Sequence, residues 1–221
     1  MKISRKLEAF IFDLDGVITD TAEFHYLSWK RLADEEGIPF SRKDNEQLRG
    51  VSRRRSLELL LKGKELPEKK MQEMMDRKNG YYRELIKTIT PDNLLPGVEE
   101  ILEYLKEKGI KMAIASASKN ARPVIKNLGI EDMFDTIADG YSVQKTKPAP
   151  DLFLHAAKEM GVEPPACAVV EDAESGIEAA LAAGMLAIGI GPEERVGKAH
   201  YRYDQVADIE LEKILEVSEK V

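Results

Sequence analysis

The chain has 221 residues, enough for one good-sized domain or for a core domain carrying a smaller insertion. Its net charge of −7 argues against nucleic acid as a partner, because polyanion binders present a basic face. A single cysteine, Cys167, excludes an internal disulfide and argues against a thiolate metal site. The N-terminal MKISRKLEAFIFDLDG lacks a secretory pattern, and no apolar run approaches the roughly 20 residues of a membrane span. The expectation is a cytoplasmic protein with no membrane partner.

In chain order, Ala9-Phe10-Ile11-Phe12 is a short continuous apolar run ending at Asp13. Such a run suits a strand buried on both faces of a parallel sheet. Residues 20–92 then read as almost entirely helical. Ala22, Tyr26, Trp29 and Ala33 recur at helical spacing before Gly37. Met71, Met74, Met75, Tyr82, Leu85 and Ile89 mark a second, long amphipathic helix, with the methionines as core filler. Beyond Pro91, helix and strand alternate. The stripe Val98, Ile101, Leu102, Leu105 precedes a strand over 110–115. The helix around Val124–Leu128 precedes a short strand at 136–138. A helix over 151–160, a strand over 166–170, a helix over 177–183 and a strand over 186–190 follow. This alternation argues for an α/β fold with a parallel sheet, interrupted after its first strand by a helical insertion. Cys167 falls in a buried strand as a packed, inert thiol, and His155 and His200 read as structural. The last 30 residues carry little pattern.

Ligands of open parallel sheets bind at the C-terminal ends of the strands. Polar residues stand at four such places here: Asp13 and Asp15, Ser116, Lys147, and Glu171-Asp172. A buried strand running straight into acids is costly unless the charge is offset. Asp13, Asp15, Glu171 and Asp172 supply hard oxygen ligands that suit Mg²⁺.

Phe12-Asp13-Leu14-Asp15-Gly16-Val17-Ile18-Thr19-Asp20 resembles the first signature of the haloacid dehalogenase (HAD) superfamily. Ala113-Ile114-Ala115-Ser116 is similar to its second motif, Lys147-Pro148 to its third and Val170-Glu171-Asp172 to its fourth. The resemblance implies a HAD-like, Rossmannoid parallel-sheet core over 1–19 and 93–221, with an inserted all-helical cap over 20–92. It implies that Asp13 is a nucleophile forming an aspartyl phosphate. Asp15 would be general acid and base, the Ser116 hydroxyl would hold a phosphoryl oxygen, and Lys147 with Mg²⁺ would offset the negative charge.

Further peptides resemble the β-phosphoglucomutase family within that superfamily. They are Thr19–His25, Asn45–Arg53, Arg77-Lys78-Asn79, Ala115–Asn120 and Thr146–Asp151. That family interconverts β-glucose 1-phosphate and glucose 6-phosphate through β-glucose 1,6-bisphosphate. The resemblance implies a small phosphosugar substrate and glucose 1,6-bisphosphate as activator and intermediate. A second phosphate needs a second anion site. Arg53 on the cap side, with Ser118, Lys119 and Asn120 on the core side, is the candidate, and beside it Gly50, Val51 and Ser52 are expected to bind substrate, Gly50 and Val51 by letting the cap backbone come close to the sugar. His25 and Lys78 would link cap closure to Asp15. Out of that context, Arg53-Arg54-Arg55 reads as a solvated basic helix start. Ala173 departs from the family pattern, which has Ser there. A sugar-phosphate phosphatase on the same scaffold is the alternative, and cap closure favours a monomer.

Overall fold

The computed structural model describes residues 6–48 and 51–219. Strand β1 (Ala9–Phe12) is followed by four helices, α1 (Ala22–Glu35), α2 (Arg42–Glu46), α3 (Arg53–Leu60) and α4 (Glu68–Leu85). The alternating part comprises α5 (Val98–Glu107), β2 (Lys111–Ala115), α6 (Ala121–Asn127), β3 (Thr136–Ala138), α7 (Asp151–Met160), β4 (Cys167–Glu171), α8 (Glu174–Ala182) and β5 (Leu186–Ile190). It ends with α9 (Glu193–Val196), β6 (Tyr201–Tyr203) and α10 (Leu211–Glu219). Among the described residues, no helix is long and apolar enough to cross a membrane.

The six strands form one parallel sheet in the order β3-β2-β1-β4-β5-β6. All four residues of β1 are buried, because alternate side chains enter different cores. Phe10 and Phe12 join Met112, Ile114 and Val170 on one face. Ala9 and Ile11 join Ala113, Ala115 and Val169 on the other, where Leu152 and Phe153 of α7 cover them. Burial on both faces explains why these strands read as unbroken apolar runs.

The insertion has its own apolar cluster. Trp29, Leu32, Phe40, Leu57, Leu60, Met71, Met74 and Met75 pack together, with the methionines filling space between helices. Tyr82 and Ile86 belong instead to the core beside β1, so the end of α4 rests on the sheet half. The expected helix does not run through to Ile89. It gives way to a 3-10 turn at Ile86–Thr88, and Thr90 is extended because Pro91 follows it.

The remaining differences are at element ends. Helix α8 starts at Glu174, earlier than the apolar stripe suggests, and the C-terminal segment adds the short edge strand β6. Cys167 is fully buried, and burial, helped by Glu8 and Glu163, pushes its thiol up to about 12. His200 is structural: its Nδ1 accepts from the Ala187 N–H at 2.9 Å.

Candidate active site

Asp13 continues the path of β1, with its N–H donating to the Val170 carbonyl at 2.9 Å. The chain then turns, and the Asp15 N–H donates to Asp13 Oδ2 at 3.0 Å. Gly16 takes φ +88° in that turn, and a Cβ there would stand 2.4 Å from Asp172 Oδ2. Glu171 ends β4 fully buried, and a Cβ at Gly176 would lie 1.9 Å from its Cδ. These two glycines are the room in which the carboxylates sit. Lys147, in the loop before α7, donates from Nζ to Asp13 Oδ1 at 2.5 Å and also to Glu171 Oε1. Ser116 follows β2, buried, and its Oγ accepts from the Ser118 N–H at 3.1 Å.

The sheet end is crowded with negative charge. Asp13, Glu171 and Asp172 each offer an oxygen, and these atoms lie within 4.8 Å of one another. Burial would lower the Lys147 pKa, but Asp13 and Glu171 outweigh it and hold the ammonium well above its usual range. Burial raises Glu171, Lys147 opposes, and Asp13 and Asp172 raise it further. Arg195 also lies near, with Nη2 4.0 Å from Asp172 Oδ2. Three clustered, buried carboxylates with so few cations fit a hard divalent ion such as Mg²⁺.

One expectation changes. The Asp15 side chain is not part of that oxygen cluster. It turns towards the insertion, where the Thr21 hydroxyl donates to its Oδ1 and His25 Nε2 lies 3.9 Å from Oδ2. Burial, then the charges of Asp13 and Asp172, push the Asp15 carboxyl up to about 8. The Lys147 side chain is fully buried, its ammonium paired with the carboxylates of Asp13 and Glu171.

The insertion brings cations to the same place. Lys78 is buried against the rings of Trp29 and Tyr82, with Nζ 2.9 Å from His25 Nδ1. Burial and then Arg53 hold the Lys78 pKa well below its usual range. Burial, Lys78 and Arg53 do the same to His25. A neutral His25 accepting from Lys78 at Nδ1 carries its proton on Nε2, facing Asp15.

The basic run at the start of α3 splits by function. Arg54 and Arg55 are exposed and pair with Glu58, and Arg54 also with Glu68. Arg53 turns inward and donates from Nη2 to Asn79 Oδ1 at 2.8 Å. Ser52 is the N-cap of α3, its Oγ accepting from the Arg55 N–H. Ser118 Oγ accepts from the Asn120 N–H at 3.1 Å, and Lys119 Nζ lies over the Tyr141 ring. The expected residue Gly50 lies outside the described residues.

One cavity of about 490 Å³ collects these groups. Asp13, Asp15, Ser116 and Asp172 line its sheet end. His25, Lys78, Val51, Ser52 and Arg53 line it from the insertion, and Ser118, Lys119 and Asn120 from the loop after β2. Thr21, Asn79 and Arg195, which reaches Glu46 of α2 at 3.7 Å, were not among the expected site residues. Thr21 and Asn79 stand in the peptides that carry the family resemblance, and that is the only signal that marks them. Ala173 is the N-cap of α8 and provides no side-chain cap.

The sequence pattern described as "haloacid dehalogenase-like hydrolase" matches residues 7–184. The chain is 46% identical to the β-phosphoglucomutase of Bacillus subtilis over 93% of each chain. It is 33% identical to a phosphorylated carbohydrates phosphatase of Thermotoga maritima, over 97% of this chain and all of the relative. The crystal structure of a β-phosphoglucomutase from Clostridium difficile superposes with a TM-score of 0.93 at 43% identity, covering 97% of this chain and 98% of that one. Strand-end acids, inserted helices and sequence likeness converge: this chain belongs to the haloacid dehalogenase-like hydrolase family, within which it is similar to the β-phosphoglucomutases.

Proposed function

We propose that this protein is a phosphomutase interconverting β-D-glucose 1-phosphate and D-glucose 6-phosphate through an aspartyl phosphate on Asp13 and β-glucose 1,6-bisphosphate. The observation that carries this reading is one cavity lined by two sets of anion-binding groups, which we read as its two poles: Asp13 and Ser116 in one, and Arg53, Lys119 and Asn120 in the other. A bisphosphate has one phosphate for each pole, whereas a monophosphate hydrolase has no use for the second. The likeness to β-phosphoglucomutases at 46% and 43% identity supports it.

An Asp13 carboxylate oxygen bonds to phosphorus as the ester bond to the sugar oxygen breaks. Asp15 gives that oxygen its proton. When the group taken is the 1-phosphate of the bisphosphate, glucose 6-phosphate leaves and the next β-glucose 1-phosphate presents its 6-hydroxyl: Asp15 takes that proton, phosphorus leaves Asp13 for the oxygen, and the bisphosphate so formed turns over to present its 1-phosphate. Ser116 Oγ already accepts from the Ser118 N–H, which leaves its own proton to donate to a phosphoryl oxygen. Lys147 holds Asp13 in place through its ammonium. Asp13, Glu171 and Asp172 would hold Mg²⁺, whose charge offsets that on the phosphoryl oxygens. His25, held by Lys78, offers its Nε2–H towards Asp15 and ties that carboxyl to the insertion. Val51 and Ser52 bring insertion backbone close to the sugar. Residues 20–92 act as a cap on a core of 1–19 and 93–221, and closure excludes water from the aspartyl phosphate. We place this monomeric enzyme in the cytoplasm.

The test is ³¹P NMR of β-glucose 1-phosphate with Mg²⁺ and a trace of glucose 1,6-bisphosphate. Conversion to glucose 6-phosphate with little inorganic phosphate is expected, and its loss in Asp13→Asn. Steady release of inorganic phosphate without isomerisation would replace this reading with a sugar-phosphate phosphatase.

A further inference from the structure

One side chain at the seam between insertion and core bonds in both directions. Asn79, on α4, accepts at Oδ1 from Arg53 Nη2 at 2.8 Å and from Asn120 Nδ2 at 2.8 Å. A guanidinium only donates, so the Asn79 atom facing it is the carbonyl oxygen. Asn120 must in turn present its amide nitrogen to that oxygen. Arg53 and Asn79 belong to the inserted helices, while Asn120 is the N-cap of α6 in the sheet half. Arg53 and Asn120 line the cavity, but Asn79 does not.

Each donor nitrogen carries two N–H groups. Asn79 uses one from each, which leaves the second on each, and the rest of the guanidinium, for a ligand. Without Asn79 the long Arg53 side chain would have to be ordered by the ligand itself, at an entropic cost to binding. The seam would also lose a hydrogen bond that joins its two sides beside the cavity.

We propose that Asn79 is a positioning residue that latches the insertion to the core and aims Arg53 and Asn120 at the far phosphate. It thereby decides whether a sugar hydroxyl or water takes the phosphoryl group from Asp13. The proposal rests on the mutase reading for the identity of the acceptor, but the latch itself does not.

The experiment charges Asp13 with acetyl phosphate, an acyl phosphate that makes no use of the far pole. An Asp13 oxygen bonds to phosphorus and acetate leaves. The charged protein is then chased with water alone or with glucose 6-phosphate, and inorganic phosphate and bisphosphate are counted. Charging is expected to be equal in wild type, Asn79→Ala and Asn79→Asp. In Asn79→Ala the ratio of transfer to hydrolysis is expected to fall about tenfold, with a raised KM for glucose 6-phosphate. Asn79→Asp keeps an acceptor for both donors, so its hydrolysis stays at the wild-type rate. Its added charge raises the same KM, more so at low salt. An unchanged ratio and KM in Asn79→Ala would overturn the proposal. If wild type transfers to no sugar phosphate yet Asn79→Ala hydrolyses faster, the mutase reading falls and the latch stands. If Asn79→Ala fails to fold, Asn79→Asp decides: wild-type hydrolysis with a salt-sensitive KM supports the latch, and wild-type values for both overturn it.

Discussion

The two ends of the cavity differ in charge and in how they are built. At the sheet end, Asp13, Asp15 and Asp172 are held by the backbone of strand ends and by tight glycine turns. From the insertion, Arg53 and Lys78 reach in from helices on long side chains, Arg53 held by Asn79 and Lys78 bonded to His25 beside Asp15. The acid end is fixed before any ligand arrives. The basic end depends on side-chain rotamers and on how the inserted helices sit, so it is the end that can adapt to a sugar turning over between half-reactions.

The sharpest way to break this contrast is Gly176→Ala. Alanine is the better helix former by about 1 kcal/mol, so propensity alone predicts a gain in stability. The Cβ would instead occupy the space of Glu171 Cδ. Mg²⁺ affinity, read by titration of the purified protein, is expected to fall about 10–100-fold. Normal affinity would mean that the acid end is as adaptable as the basic one.

The next test separates neighbours in one basic run. Arg53→Ala is expected to raise the KM for β-glucose 1-phosphate about 10–100-fold by removing a charged donor. Arg55→Ala, which removes an exposed partner of Glu58, should leave the KM within about twofold. Equal effects would mean that the run acts only as a diffuse positive field.

A third test concerns the rigidity of β4, the strand that ends in Glu171. Cys167 at its start has its thiol pKa raised from 9.0 to about 12. Above pH 9 the unfolded chain loses that proton while the folded chain keeps it, so stability falls as pH rises towards 12. Urea unfolding of wild type against Cys167→Ala should differ in slope by about 1.4 kcal/mol per pH unit in that window. Equal slopes would mean that water reaches the thiol and that the strand is looser than its burial implies.

The smallest effect is Ala173→Ser. Ala173 has extended N-cap geometry but no side-chain acceptor, so a serine should stabilise α8 by about 1 kcal/mol, seen in thermal unfolding. No gain would mean that the space around Glu171 is too tight for the hydroxyl.

The same contrast explains what could be read from sequence. Asp13, Ser116 and Glu171-Asp172 were legible because each ends a buried apolar run, and a chain position fixes a strand-end side chain in space. The position of Lys147 was legible, but its direction was not. Nothing in the peptide says that its ammonium bridges Asp13 and Glu171. Arg53 was ambiguous because three arginines at one helix start look alike, and only packing turns one inward. Thr21 and Asn79 act through contacts made on folding, between residues far apart in helical space or in sequence. Strand β6 was hidden because Tyr-Arg-Tyr at a sheet edge has no continuous apolar run to announce it.

The sheet order carries one more consequence, for how the chain becomes folded. The first strand made is the central one: Ala9 pairs with Lys111 on one side and Cys167 on the other. During synthesis β1 therefore leaves the ribosome with both edges bare, while the whole insertion is made before its first partner exists. Contacts this distant along the chain make for slow folding and expose an apolar strand to other chains. The helices α1 to α4, with an apolar cluster of their own, can collapse in that interval, so the inserted part of the chain is the part best placed to form first.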